Sequence, residues 1–357
     1  MISPDMDSKT LTQSTNASER PLLQVSGLSV DLALPAGALH AVQSIDFSVK
    51  AGETFCIVGE SGCGKTMTSL ALMRLLPRSA KITANRLEFE GQDLLKLSEK
   101  QMAELRGDRL GMIFQDPMTS LNPVYTIGNQ MEEVYLRHRK SSRKEARERA
   151  EYMLQRVGIM SPALRMQQFP HQLSGGLRQR VMIAMTLMCE PRLIIADEPT
   201  TALDVTVQVQ ILQLLIKLQK EFGMAIILIT HNLGIVARMA DRLAVMYAGK
   251  IVETGTGLDV FRHPRHPYTK GLLSCIPTHA SQRQNESIAD RRLGSIPGLV
   301  PSLIGEIKGC SFRNRCQWAQ PDCASTQLDL REASTGHSYR CLIDAKSGIS
   351  PTAEAAL

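Results

Sequence analysis

The sequence predicts an α/β protein: a mainly parallel sheet covered on both faces, an antiparallel β subdomain, a helical insertion and a loop-rich, cysteine-containing C-terminal extension. Three observations predict it. Continuously apolar runs at 54–58, 192–196, 225–230 and 242–246 alternate with segments of helical spacing at 66–76, 205–222 and 233–240. Strands that are apolar on both faces are what a parallel sheet buried between helices requires. A glycine-rich turn joins the first of these strands to the first helix, and beyond Gly255 the chain changes texture, with Pro264, Pro267, Pro277, Pro297 and Pro301 followed by clustered cysteines.

Taken in chain order, residues 1–20 are polar and contain acids. They have neither the apolar core of a signal peptide nor an Arg-rich transit pattern, and predict a disordered leader on a cytosolic protein. Residues 22–32 and 39–49 alternate around Pro35-Ala-Gly37 and predict two antiparallel strands. Residues 90–180 are more polar and mostly helical, which predicts an insertion between the α/β blocks.

The positive charge is concentrated in that insertion. Residues 137–149 carry seven Lys/Arg and two Glu, a net of +5, against +6 for the whole chain (41 Lys+Arg, 35 Asp+Glu). A basic run of this kind can address nucleic acid. Here, however, Ala146, Ala150, Met153, Leu154 and Val157 recur at helical spacing, and Glu145 stands four residues before Arg149. A solvated helix face carrying ion pairs is therefore expected. No apolar run approaches the roughly 20 residues of a membrane-spanning helix, and no internal repeat is visible.

The chemistry begins at Gly59-Glu-Ser-Gly-Cys-Gly-Lys65-Thr66, a G-x-x-x-x-G-K-[ST] pattern set after a buried strand and before a helix. In such a loop the backbone around Gly59, Ser61, Gly62 and Gly64 turns N–H groups toward phosphates; Lys65 reaches the terminal phosphates and the Thr66 hydroxyl can bind Mg²⁺. Leu193-Ile-Ile-Ala-Asp197-Glu198 ends an apolar strand in two carboxylates, the first suited to Mg²⁺ and the second to polarising a water. Leu173-Ser174-Gly175-Gly176 opens a helix with a hydroxyl and unblocked N–H groups, a second phosphate-binding element.

With these motifs the chain resembles the ATP-binding cassette (ABC) ATPases over about residues 22–260, which implies a P-loop ABC-type core, ATP and Mg²⁺ as ligands, and hydrolysis. The resemblance implies that Ser174, Gly175 and Gly176 face a nucleotide held by another subunit, and that Asp204 in Thr201-Ala-Leu-Asp204 links the two sites. It implies Glu198 as general base, His231 as the residue positioning water and γ-phosphate, and Gln115, in Ile113-Phe-Gln-Asp-Pro117, as the sensor of Mg²⁺ and γ-phosphate. Leu177 stands where the family favours Gln. Residues 30–42 contain no aromatic to stack on adenine, leaving His40 or an aliphatic side chain for that role; Cys56, Cys63, Cys189 and Cys275 are expected to pack, with Cys63 in the loop a candidate for alkylation.

The extension narrows the resemblance. His266-Pro-Tyr-Thr-Lys-Gly-Leu-Leu273, Ile296-Pro-Gly298, the segment from Gly309 to Cys316, and the 114–123 segment are similar to oligopeptide/dipeptide importer ATPases. Four of the eight cysteines (Cys310, Cys316, Cys323 and Cys341) are spaced x5, x6 and x17, unlike a paired zinc ribbon. In a cytosolic chain they suggest metal before disulfide. Four thiolates could hold Zn²⁺ or an iron–sulfur cluster, or remain metal-free; the resemblance implies a 4Fe–4S cluster. His337 is an outside ligand candidate, expected at the surface.

The expected organisation is a nucleotide-binding domain at 21–260 with its helical subdomain at about 90–180, a C-terminal domain at 261–345 and a flexible tail at 346–357. The resemblance implies a peptide importer's ATPase at the cytoplasmic face of a bacterial inner membrane. It would work with a second, non-identical ATPase, two permease subunits and an extracytoplasmic solute-binding protein, and without direct nucleic-acid contact. The alternatives are a soluble cassette protein acting on ribosome or DNA, and import of a nickel- or glutathione-type solute.

Overall fold

The computed structural model describes residues 20–116, 120–201, 203–276 and 294–343. The expected leader, apart from residue 20, and the expected 346–357 tail lie outside the described residues, as do 117–119 and 202 of the quoted motifs and Pro277.

β1 (Leu23–Leu34) and β2 (Gly37–Val49) form the expected antiparallel pair, with Leu34 opposite Gly37 across a tight turn. β4 (Ala80–Thr83) and β5 (Arg86–Phe89) both pair with β1, and β6 (Gln92–Asp93) pairs with β5. The second sheet runs in the order β12 (Arg331–Ser334), β13 (His337–Tyr339), β11 (Lys250–Thr256), β10 (Arg242–Tyr247), β3 (Thr54–Val58), β9 (Ala225–Thr230), β8 (Leu193–Asp197) and β7 (Leu110–Ile113). From β10 to β7 every pairing is parallel. β3, β8 and β9 are buried along their whole length, which is why their sequences are apolar except at their ends, at Thr54, Asp197 and Thr230.

The helices are α1 (Lys65–Leu72), α2 (Glu99–Leu105), α3 (Ile127–His138), α4 (Arg143–Arg156), α5 (Pro162–Arg165), α6 (Gly175–Thr186), α7 (Val205–Phe222), α8 (Leu233–Met239), α9 (Gly257–Arg262) and α10 (Pro267–Ser274). α1 is shorter than its spacing predicts. Arg74 takes a left-handed φ of 51° and its guanidinium donates to the carbonyls of Leu94 and Leu97, which turns the chain off the helix axis.

α4 buries Ala146, Ala150, Met153 and Leu154 as expected, but the predicted Glu145–Arg149 pair does not form. Glu145 turns back to accept the Ser142 N–H at 2.6 Å in a capping box, and Arg149 reaches Glu190 at 2.7 Å instead. The observed i,i+4 pairs are Lys144–Glu148 and Arg147–Glu151. The insertion is also less helical than its polarity suggests. Leu110–Ile113 is buried on both faces and forms β7, the last strand of the main sheet.

Among the described residues, the loop-rich C-terminal region is tied to the main sheet. β13 pairs with β11 through Glu253 and Tyr339, and so extends the main sheet. Glu253, fully buried, accepts the N–H groups of Arg265 at 2.7 Å and His266 at 2.8 Å, and His337 Nε2 lies 2.8 Å from its Oε1. His337 is therefore not the surface residue expected from sequence. It is 1% exposed because a buried carboxylate needs a compensating partner.

His266 caps α10, its Nδ1 accepting the Tyr268 N–H at 3.0 Å. Burial pulls its pKa down to about 4. In the unfolded chain an ordinary histidine titrates near 6.5. Between those values the unfolded state binds a proton that the folded state refuses, so this stabilisation is complete above pH 6.5 and is lost as pH falls toward 4, at no more than about 1.4 kcal/mol per pH unit. The Tm of the wild type is expected to drop between pH 7 and pH 5 more steeply than that of His266→Asn, whose carboxamide still caps α10. Equal slopes would contradict the assignment.

Candidate functional site

Three neighbouring parallel strands, β3, β9 and β8, deliver the loop after Val58, the Thr230-His231 turn and the Asp197-Glu198 pair to the same carboxyl edge of the sheet. Ligands bind at this edge in open α/β sheets because the loops and helix N-termini converge there. Gly64, which precedes α1, has a φ of 106°, and a Cβ placed on it would come 2.3 Å from the Ala41 carbonyl oxygen. Glycine is required there by conformation and by space together.

Lys65 is buried. Its Nζ donates to the carbonyls of Gly59 (2.9 Å) and Glu60 (3.1 Å) and stands 3.6 Å from Glu198 Oε1. The Thr66 hydroxyl donates to Asp197 Oδ1 and the Ser69 hydroxyl to Asp197 Oδ2, each at 3.2 Å. Asp197 is 2% exposed, and burial raises its pKa above the ordinary carboxylate value against the pull of those two hydroxyls. A bound cation would reverse that push.

Glu198 has a φ of 44°, a left-handed conformation rare for a residue with a side chain, and its N–H donates to Ile229. The carboxylate accepts from Thr201 Oγ1 at 2.8 Å and Gln115 Nε2 at 3.4 Å, with His231 Nδ1 at 3.4 Å. Residues 65, 115, 201 and 231 thus converge on one acid, Glu198.

Ser174, Gly175, Gly176 and Asp204 form a separate surface. Ser174 is the N-cap of α6 and accepts the Leu177 N–H at 3.4 Å; Asp204 caps α7 by accepting the Val207 N–H at 3.0 Å. Ser174 and Gly175 are exposed. His40, a candidate for facing adenine, has its Nδ1 2.6 Å from Asp31 Oδ1 on the β1–β2 hairpin.

Comparison with known proteins decides the family. Residues 42–201 match the family described as ABC transporter, and residues 252–323 match the oligopeptide/dipeptide transporter C-terminal region. The dipeptide transport ATP-binding protein DppD of Bacillus subtilis is 48% identical over 321 residues, covering 90% of this chain and 94% of that protein. Its Escherichia coli namesake is 47% identical over 320 residues, covering 90% and 96%. The chain belongs to the ABC transporter ATP-binding family.

Solved structures agree with that assignment. A dimeric, post-hydrolysis ATP-binding cassette bound to ADP and Pi matches with a TM-score of 0.59 at 26% identity, covering 66% of this chain and 98% of that one. A Clostridium perfringens cassette that is part of an ABC transporter complex matches with a TM-score of 0.58 at 30% identity, covering 69% and 92%. The chemistry of this cassette is ATP hydrolysis.

The cassette's four tail cysteines are gathered but not arranged around an ion. Cys310 N–H donates to the Cys323 carbonyl at 2.7 Å, and Cys323 and Cys341 are buried. Burial first, and then the charges of Cys341, Cys310 and Cys323, push the Cys316 thiol up to about 11. Among the described residues, however, no three His, Cys, Asp or Glu side chains are disposed to hold a metal ion. The tetrahedral zinc site considered from sequence is not formed by Cys310, Cys316, Cys323 and Cys341 as they stand, nor with His337, which is committed to Glu253. A single ion needs its thiolates within one short bond radius.

Cys63 packs, as expected, and is no candidate for alkylation in the folded chain. It is fully buried beneath the cassette's phosphate loop, and burial pushes its thiol up to about 11. Reaction needs an accessible thiolate. N-ethylmaleimide at neutral pH is expected to leave Cys63 unmodified until the chain unfolds; its rapid labelling in peptide mass mapping would contradict this.

Sequence reasoning missed three contributors to the site. Ser69 lies one turn beyond Thr66, and the i,i+3 spacing on α1 was the available signal. Thr201 lies three residues after Glu198 in a loop where no periodicity applies. The third is a contact from the tail: Arg315 pairs with Glu60, whose N–H donates to Tyr268 Oη at 2.8 Å. Arg315 sits inside the Gly309–Cys316 segment, where the cysteines drew the reading.

Proposed function

We propose that this chain is the ATP-hydrolysing subunit that energises import of peptides through a membrane ABC transporter. The observation that carries the reading is the joint match to the ABC transporter family and to the oligopeptide/dipeptide C-terminal region, with 48% identity to a dipeptide transport ATP-binding protein along 90% of the chain.

In this reading the Gly59–Thr66 loop holds the phosphates, with N–H groups around Ser61, Gly62 and Gly64 and the ammonium of Lys65 opposing their charge. Thr66 and Asp197 would hold Mg²⁺ through two hard oxygen donors 3.2 Å apart; the ion, when bound, neutralises phosphate charge. Glu198 accepts the proton of the attacking water, with Gln115 and His231 fixing the position of the water and of the γ-phosphate.

Ser174, Gly175 and Gly176 serve the nucleotide of a second cassette, and Asp204 connects the two sites. Support comes from the exposure of Ser174 and Gly175 and from the dimeric state of a solved relative. The second cassette is a non-identical ATPase. The remaining partners are two permease subunits and an extracytoplasmic solute-binding protein, which place the chain at the cytoplasmic face of the inner membrane. No described helix is long and apolar enough to cross a membrane, so attachment runs through those permeases. The working units are residues 21–260 for nucleotide and 261–345 for the C-terminal region.

The same reading includes a 4Fe–4S cluster on Cys310, Cys316, Cys323 and Cys341, which rests on the likeness of the tail to the oligopeptide/dipeptide transporter C-terminal region alone, since among the described residues these cysteines form no metal-holding group. Anaerobic purification is expected to yield iron with broad visible absorbance; zinc alone, or no metal, removes this part.

The experiment for the whole reading is reconstitution with the membrane subunits. ATP hydrolysis is expected to rise when binding protein loaded with dipeptide or oligopeptide is added. Stimulation by a nickel- or glutathione-loaded binding protein and not by peptides would overturn the peptide assignment.

A further inference from the structure

Glu60 is the one acidic residue of the phosphate loop, and three groups hold it. Its carbonyl accepts from Lys65 Nζ at 3.1 Å, its N–H donates to Tyr268 Oη at 2.8 Å, and its carboxylate is gripped by Arg315 through Nη1 (2.6 Å) and Nη2 (2.9 Å). Two of those three groups belong to the C-terminal region, and Arg315 is 255 residues away in sequence.

Arg315 is itself pinned. Nε donates to the Pro297 carbonyl (2.9 Å), Nη2 also to the Ile296 carbonyl (3.1 Å) and Nη1 also to Tyr247 Oη (3.4 Å), so all five N–H directions of the guanidinium are used. The group lies over the rings of Tyr247 and Phe312, and its side chain is 5% exposed. A paired guanidinium–carboxylate contact in so enclosed a place fixes geometry as well as charge.

Two consequences reach the nucleotide. Lys65 is aimed by the Glu60 carbonyl, so the position of Glu60 sets the position of the ammonium. An unpaired carboxylate at the mouth of the loop would also repel a triphosphate. We propose that Arg315 is a positioning residue of the nucleotide site: through Glu60 it sets the conformation of the phosphate loop and cancels its acidic charge, which makes the C-terminal region part of ATP binding. This rests on the ATP-hydrolysis reading of the site.

The test compares Arg315→Gln, Glu60→Gln and the double variant in the full-length chain, by ATP Kd, KM, kcat and Tm. Arg315→Gln exposes the Glu60 carboxylate and is expected to raise ATP Kd and KM roughly tenfold, the scale of one charge-assisted contact, with kcat changing far less. The double variant, having lost the repelling charge, recovers most of that affinity. A scaffolding role alone would lower Tm in both, leave KM unmoved in folded protein and show no recovery, and that result overturns the assignment. Should Arg315→Gln not fold, Arg315→Lys keeps the charge but gives up the paired contact: a severalfold rise in KM at near-wild-type Tm supports the proposal, and an unchanged KM overturns it. A wild-type chain that neither binds nor hydrolyses ATP defeats the underlying reading; normal wild-type activity with indifferent variants defeats only the role of Arg315.

Discussion

Glu198→Gln is expected to lower ATP turnover by about 10²–10⁴-fold, the range for removing a positioned general base, while the chain still binds ATP. The amide preserves the size of the side chain, and nothing in the change relaxes the left-handed backbone at φ 44°. What it loses is the capacity to accept a proton and to balance Lys65, whose Nζ lies 3.6 Å from Oε1. A carboxylate is a weak base in water, so the loss falls mainly on the placement of the water and of the charge that develops on it. With a partner cassette present, the variant is expected to persist as a closed, ATP-loaded dimer. Phosphate release against binding of a fluorescent ATP analogue separates the two effects. Steady-state hydrolysis near the wild-type rate would remove Glu198 from the role of base.

Gly64→Ala is expected to cost both stability and nucleotide affinity. The φ of 106° carries of order 1–3 kcal/mol of strain for a residue with a Cβ. The new carbon would also sit 2.3 Å from the Ala41 carbonyl oxygen and 2.8 Å from Met246 Cε. Met246 can swing aside, but a β2 carbonyl cannot move without the strand. The loop must shift instead, and with it the start of α1 and the neighbouring Lys65. An affinity loss of at least about tenfold is expected, since each 1.4 kcal/mol is a decade, together with a lower Tm. Gly62→Ala is the contrast: its φ is 78° but nothing lies within 4 Å of the added Cβ, so its Tm falls less. A Gly64→Ala protein with wild-type Tm and ATP affinity would refute the packing argument.

The parts of the fold that were legible are those written in short stretches of chain. Residues 54–58, 193–197 and 225–230 read as buried strands because nearly every side chain is apolar, Thr54, Asp197 and Thr230 at the strand ends excepted, and they are buried throughout. The glycine-lysine loop, the Ser-Gly-Gly helix start and the paired acids read as chemistry because each needs its residue types at fixed spacing. β7 did not, since four apolar residues fit a strand or a helix equally well. Nor did the burial of His337, because its reason, the carboxylate of Glu253, lies 84 residues away.

The sequence by itself determined the strand–loop–helix nucleotide motif, the signature surface and the presence of a distinct C-terminal region, because those depend on local backbone freedom, on side-chain chemistry and on periodicity. Only the tertiary structure decided that Gln115, Thr201 and His231 meet on Glu198, that the tail strand β13 joins the main sheet, and that Arg315 reaches back to Glu60. Apart from Thr201, which lies three residues from Glu198 in an irregular loop, these are pairings between residues far apart in the chain. Their energy comes from burial and from matched charges that exist only once the sheet has placed the strand ends side by side, so no local pattern records them.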